Sequence, residues 1–189
     1  AQLAAIAGLA ERRTVEVLIP YLGSLPELTH WTRLVRRALP DGVPVGAMLE
    51  TPAAVLDIRN WSAMTDFIAI GCNDLMQCLF GADRDETRVR DSLDPYAPVL
   101  YRLLGNAAAD VFEHRETVRL CGVLPRLAGV LPLLVGIGFR NFSLDPVWIP
   151  YLARDLSGLA LTDVEDLARR VTACRQSHEV RTLLGLPAA

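Results

Sequence analysis

Short, nearly continuous apolar runs recur along the chain, each followed by a stretch whose apolar positions repeat every three to four residues. Val15 to Pro20 is the first run and reads as a buried strand. Ser24-Leu25-Pro26-Glu27 then offers an N-cap hydroxyl with a glutamate three residues on, a capping box opening a helix to about Leu39. Pro40-Asp41-Gly42 stops it. Val45 to Leu49 is the second strand, Pro52 starts a helix through about Trp61, and Phe67 to Gly71 is a third strand running into Asn73-Asp74. Beyond a polar, arginine-rich stretch from Asp83 to Asp94, Pro98 to about Glu113 is predicted helical and Val118 to Cys121 extended. Leu124 to about Val135 is predicted helical again, and Asn141 to Leu144 is a fifth strand. Thr162-Asp163-Val164-Glu165 forms a second capping box for a C-terminal helix to about Cys174, and Ser177 is placed to start another.

Strands that are apolar at nearly every position are covered on both faces, which is the habit of parallel strands joined by right-handed helical crossovers. The expected class is therefore α/β, as a barrel or a doubly wound sheet. No second domain, internal repeat or low-complexity tract interrupts residues 1–189, so a single domain is expected, with its C-terminal helices from about residue 162.

Composition narrows the chemistry. All nineteen cationic residues are arginines. The absence of lysine removes mechanisms built on a Schiff-base amine or a phosphate-loop lysine. A net charge of −3 with no basic run longer than a pair leaves no footprint for nucleic acid. Mean hydropathy is high at +0.27, yet no apolar stretch reaches the roughly 18 uninterrupted residues of a membrane span. The chain opens without Met or a signal-peptide layout and reads as beginning inside a longer sequence. Cys72, Cys78, Cys121 and Cys174 form no Cys-x-x-Cys pair, which disfavours zinc and points to a reducing cytoplasm.

In parallel α/β folds ligands gather at the carboxyl ends of the strands. Glu50 ends the second strand, Asn73 and Asp74 follow the third, Cys121 ends the fourth, and Ser143 and Asp145 lie at the fifth. Glu50 and Asp74 are hard anionic ligands on adjacent strand ends, a pairing that suits Mg²⁺ with other positions left to water and substrate. Their competing role is local: Glu50 as cap of the helix opened by Pro52, Asp74 as cap of a short helix through Leu79. Arg84 offers a planar fork for phosphate or carboxylate, or else pairs with Asp83 or Asp85 on the surface. Cys121 is either a small core residue or a reactive strand-end thiol. Cys72 and Cys78 read as packing residues, as do Trp31, Trp61 and Trp148, while His30, His114 and His178 lie on charged, helical stretches.

The run Val45-Gly46-Ala47-Met48-Leu49-Glu50-Thr51-Pro52-Ala53-Ala54, with Gly71-Cys72-Asn73-Asp74-Leu75-Met76-Gln77 and Ala82-Asp83-Arg84, resembles the phosphoenolpyruvate-binding barrel of enzyme I of the bacterial sugar phosphotransferase system. Pyruvate phosphate dikinase and phosphoenolpyruvate synthase share that barrel. Leu120-Cys121-Gly122 is similar to the family's catalytic cysteine loop, and Leu133 to Leu144 to the approach to its last strand. The resemblance implies Mg²⁺ at Glu50 and Asp74, substrate held by Asn73, Asp74 and Arg84, and Cys121 as donor of the proton that makes pyruvate. It also implies a phosphohistidine domain or carrier protein as partner. Val123 stands where the family has a glutamate, and Cys72 where it has a threonine.

A (β/α)₈ barrel takes about 250 residues, so five strands are expected to form the C-terminal portion of such a barrel. Its open edges predict a homodimer. Two rival readings are a metal-dependent aldolase or lyase acting on pyruvate-like acids and a non-catalytic remnant with a binding or dimerisation role. The first would not need Cys121 or Arg84; the second is favoured by Val123 and the missing strands.

Overall fold

The computed structural model describes residues 1–187, so the last two residues of the expected 1–189 domain lie outside it. Five strands form one parallel sheet in sequential order: β1 (Val17–Ile19), β2 (Val45–Leu49), β3 (Phe67–Gly71), β4 (Val118–Cys121) and β5 (Asn141–Ser143). A doubly wound sheet reverses its strand order at a switch point; this one never does. Sequential right-handed crossovers pack their helices against one face of the sheet and leave the other as the concave inner side, so the sheet is part of a (β/α) barrel.

Alternation along the strands separates the two faces. Val45, Ala47, Leu49, Ile68, Ile70, Val118 and Leu120 turn outward into the main core, which they share with Leu28, Trp61, Tyr101 and Leu104. The intervening positions line the inner side. Gly46 and Phe67 meet there so closely that a Cβ on Gly46 would lie 2.5 Å from the Phe67 ring. The Arg119 guanidinium sits 4.6 Å from the centre of that ring and reaches across β2 and β3 to Glu16, with N···O distances of 2.6 and 2.9 Å. The same concave face carries Glu50, Gly71, Cys121 and Ser143 at its upper end.

The helices are α1 (Gln2–Ala10), α2 (Leu25–Ala38), α3 (Pro52–Leu56), α4 (Ile58–Ser62), α5 (Cys72–Phe80), α6 (Pro98–Asp110), α7 (Val130–Ile137), α8 (Ile149–Leu156), α9 (Leu161–Ala173) and α10 (Ser177–Leu183). None is long and apolar enough to cross a membrane. Several depart from the expected pattern. The helix expected from Pro52 through Trp61 breaks into α3 and α4 at Asp57, whose φ of −104° and ψ of 16° interrupt the helical turn. Pro125 and Gly129, the latter at φ +75°, confine the next expected helix to a 3₁₀ turn over Leu124–Arg126 and then α7. Thr162 caps nothing: α9 starts at Leu161, and the reciprocal box lies instead at Gln176 and Glu179, opening α10. Helix α9 packs so tightly on α7 that a Cβ on Gly136 would come within 1.9 Å of the Val164 carbonyl oxygen.

Candidate functional site

Glu50 follows β2 directly and is almost fully buried, at 6% exposure. It does not cap α3. Thr51 does, its hydroxyl accepting the Ala54 N–H at 3.2 Å. The Glu50 carboxylate instead accepts the backbone N–H of Tyr21 at 2.9 Å, just past β1. Tyr21 adopts φ +54°, a left-handed conformation unusual for a bulky residue. Strain of this kind persists only where surrounding contacts fix the backbone, and it clusters at ligand sites. On the other side, Gly71 leaves room for the carboxylate: a Cβ there would lie 2.6 Å from Glu50 Cγ and 2.8 Å from its Oε1.

Asp74 stands in the first turn of α5, where the helix dipole favours negative charge, and makes no capping hydrogen bond. Its Oδ1 accepts from Gln77 Nε2 at 2.8 Å, and Gln77 Oε1 in turn accepts the Arg84 N–H at 2.9 Å. Asp74 is thereby linked to the loop that carries Arg84. The Arg84 side chain itself is exposed and pairs with neither Asp83 nor Asp85 among the described ion pairs. Asn73 Oδ1 accepts the Val123 N–H at 3.0 Å, fastening the loop after Cys121 to the start of α5. Gly122 is required in that loop twice over: its φ is +101°, and a Cβ would fall 2.7 Å from Asn73 Oδ1.

The electrostatics follow from these contacts. Burial pushes the Glu50 carboxyl above its ordinary range; the Tyr21 N–H opposes the rise, and proximity to Asp74 adds to it. No arginine pairs with Glu50 or Asp74 among the described ion pairs. Two neighbouring carboxylates without a counter-cation fit a hard divalent ion, because its charge would relieve both the burial and the mutual repulsion. They are only two ligands: no cluster of three or more His, Cys, Asp or Glu side chains arranged for a metal occurs among the described residues. Cys121 is half-buried, and burial pushes its thiol up, with Ser143 and Arg119 opposing and Glu50 reinforcing the rise. At neutral pH the group is therefore a protonated thiol, suited to giving a proton rather than to attacking as a thiolate.

The raised carboxyl has a consequence for stability. A group whose folded-state pKa lies above its unfolded one supports the fold fully below the unfolded value and loses that support as pH rises through the folded value. Ionised Glu50 thus costs stability at neutral pH. In metal-free buffer at pH 7, Glu50→Gln is expected to melt higher than the parent, because the amide carries no charge to bury. Calorimetric melts should show the gap closing as pH falls below the ordinary carboxyl value of 4.5. An equal or lower melting temperature for the variant at pH 7 would contradict the strained carboxylate.

The structure brings together Glu50, Asn73, Asp74 and Cys121 through short links between strand ends, and leaves Arg84 attached by its backbone alone. Cys72 is buried as expected, but Cys78 is exposed and lies 3.9 Å from the Tyr21 hydroxyl, so it is not a packing residue. Trp31 is likewise exposed. Tyr21 and Gly71 escaped the sequence reading as site residues; the one detectable signal was a glycine ending an otherwise wholly apolar strand immediately before Cys72-Asn73-Asp74.

The segment is thus a parallel barrel sheet with acidic groups on adjacent strand ends and a thiol on the next. Comparison with known families agrees: the PEP-binding domain of PEP-utilising enzymes matches residues 1–160. The chain belongs to that family. Similar proteins include one described as "Phosphoenolpyruvate-dependent phosphotransferase system" from Salmonella typhimurium (strain LT2), 29% identical over 177 residues, which cover 88% of this chain and 24% of that protein. Multiphosphoryl transfer protein 2 of Escherichia coli (strain K12) is 30% identical over 194 residues, covering 97% and 23%. A multiphosphoryl transfer protein of Xanthomonas campestris pv. campestris is 28% identical over 173 residues, covering 89% and 21%. The chain thus spans about a quarter of the length of the curated relatives it matches.

Proposed function

We propose that residues 1–189 form one domain that binds phosphoenolpyruvate for phosphoryl transfer to a histidine of a separate domain or carrier protein, releasing pyruvate. The observation that carries this reading is the Glu50–Asp74 pair, with Glu50 buried beside Gly71 and neither carboxylate in an ion pair among the described residues. These two residues would hold Mg²⁺, which when bound would neutralise charge on the transferring phosphoryl group. Asn73, Asp74 and Arg84 would orient the substrate; the Asn73 amide NH₂ and the Arg84 guanidinium supply donors to its phosphate. Transfer breaks the bond between phosphorus and the enol oxygen and leaves the enolate of pyruvate. The Cys121 thiol then gives its proton to C3, completing pyruvate, and recovers a proton from water. Its raised pKa keeps that proton in place until the enolate forms. A homodimer would cover the two open edges of the sheet at β1 and β5, and a reducing cytoplasm suits the four free cysteines.

Oxalate, a planar mimic of the enolate, tests the reading. Calorimetric titration of the chain with oxalate is expected to give heat of binding only when Mg²⁺ is present, with each ligand tightening the other's affinity at least fivefold. Equal oxalate affinity with and without Mg²⁺ would count against it.

A further inference from the structure

Cys121, Val123, Arg126, Ser143 and Asp145 line an open cleft of about 390 Å³ between the ends of β4 and β5. Arg126 closes the 3₁₀ turn that follows Cys121, and its guanidinium lies 5.1 Å from the centre of the Trp148 ring. An arginine laid on an aromatic face is held in orientation while the N–H donors at its edge stay free. Among the described residues this side chain makes no ion pair. Arg119, two residues before Cys121, is by contrast spent on Glu16. Asp145, in the same cleft, accepts the Val147 N–H through Oδ1 at 3.1 Å and forms no ion pair with Arg126 among the described residues. Val123 is apolar, so no carboxylate from the Cys121 loop competes for the guanidinium. The cleft therefore combines an oriented cation outside any described ion pair with a thiol, a hydroxyl and the Asp145 carboxylate.

We propose that Arg126, held on Trp148, is an anion-holding residue of the Cys121 cleft and receives the carboxylate of a small carboxylic acid whose adjoining carbon faces the sulfur. The guanidinium fork matches a planar carboxylate in a bidentate arrangement. Identifying the anion as a carboxylate rests on the functional reading above, in which the phosphate lies with Asn73 and Arg84. The cationic subsite itself does not rest on that reading. Arg126 is a positioning residue: it fixes the acid's orientation toward Cys121 without taking part in proton transfer.

Differential alkylation separates the two levels. Cys121 is alkylated in metal-free buffer with iodoacetate, which is anionic, and with iodoacetamide, which is neutral, and the rates are read by peptide mapping against Cys174. The iodoacetate-to-iodoacetamide rate ratio at Cys121 is expected to fall at least fivefold in Arg126→Gln and to stay within twofold of the parent in Arg126→Lys, with Cys174 unchanged in both. An unchanged ratio in Arg126→Gln, or a Cys121 that reacts with neither reagent, overturns the subsite. With Mg²⁺ present, oxalate should slow alkylation of Cys121 by iodoacetamide in the parent but not in Arg126→Gln, and inorganic phosphate should not. Protection by phosphate as strong as that by oxalate overturns the carboxylate assignment. Loss of the oxalate effect with the iodoacetate bias intact contradicts the phosphoenolpyruvate reading and leaves the cationic subsite standing.

Discussion

Gly71→Ala is expected to lower Mg²⁺ affinity at least tenfold and to destabilise the chain by about 1–3 kcal/mol, the usual cost of overpacking. The backbone at Gly71, φ −83° and ψ 86°, is open to alanine, so conformation opposes nothing. By itself the exchange would even stabilise by about 0.4–1 kcal/mol, through the reduced entropy of the unfolded chain. A net loss therefore isolates the contact between the new Cβ and Glu50, whose Cγ and Oε1 stand 2.6 and 2.8 Å from that position. Relief requires the Glu50 side chain to move off position 71, or β3 to shift against β2 and β4, to which it is bonded on both sides. Either movement changes the position of Glu50 relative to Asp74, which follows β3 directly. Urea unfolding reads the stability and calorimetric titration the metal affinity. A variant as stable as its parent that still binds Mg²⁺ normally would show that Glu50 does not occupy the space above Gly71.

Much of this arrangement is legible in the sequence because parallel strands announce themselves. The runs at β2 and β3 have their observed limits because proline, glycine or polar residues bound unbroken apolar stretches, the β4 run is broken only by Arg119, and Glu50, Asn73-Asp74 and Cys121 then fall at strand ends by position alone. Helix boundaries are harder, since one residue out of helical conformation divides a continuous apolar pattern, as at Asp57. The α10 cap uses Gln176, a residue type outside the usual N-cap set, and so gives no sequence signal. The links that assemble the site are less visible still. Tyr21 serves Glu50 through a backbone N–H, which any residue but proline would supply, and the Asn73 bond to Val123 joins positions 50 apart in the chain. Pattern reading finds side chains by type and spacing; it cannot find a donor that belongs to the main chain or a contact set by the curvature of the sheet.

In the reading proposed above, Glu50 and Asp74 form a divalent-cation site rather than a structural pair. Exchanging one carboxylate oxygen of Glu50 for an amide leaves volume and shape nearly unchanged, and the remaining oxygen can still accept the Tyr21 N–H. Folding should therefore survive, and the variant is expected to be the more stable form without metal. Its capacity to ligate a hard cation should not survive, because a neutral amide oxygen neither neutralises the ion nor gains from being neutralised by it. The decisive measurement is isothermal titration of Mg²⁺ into the parent chain and into Glu50→Gln at pH 7 in the presence of oxalate. Binding to the parent with affinity at least tenfold weaker or undetectable in the variant is the predicted result; equal affinity in both would contradict the assignment of Glu50 to the metal site.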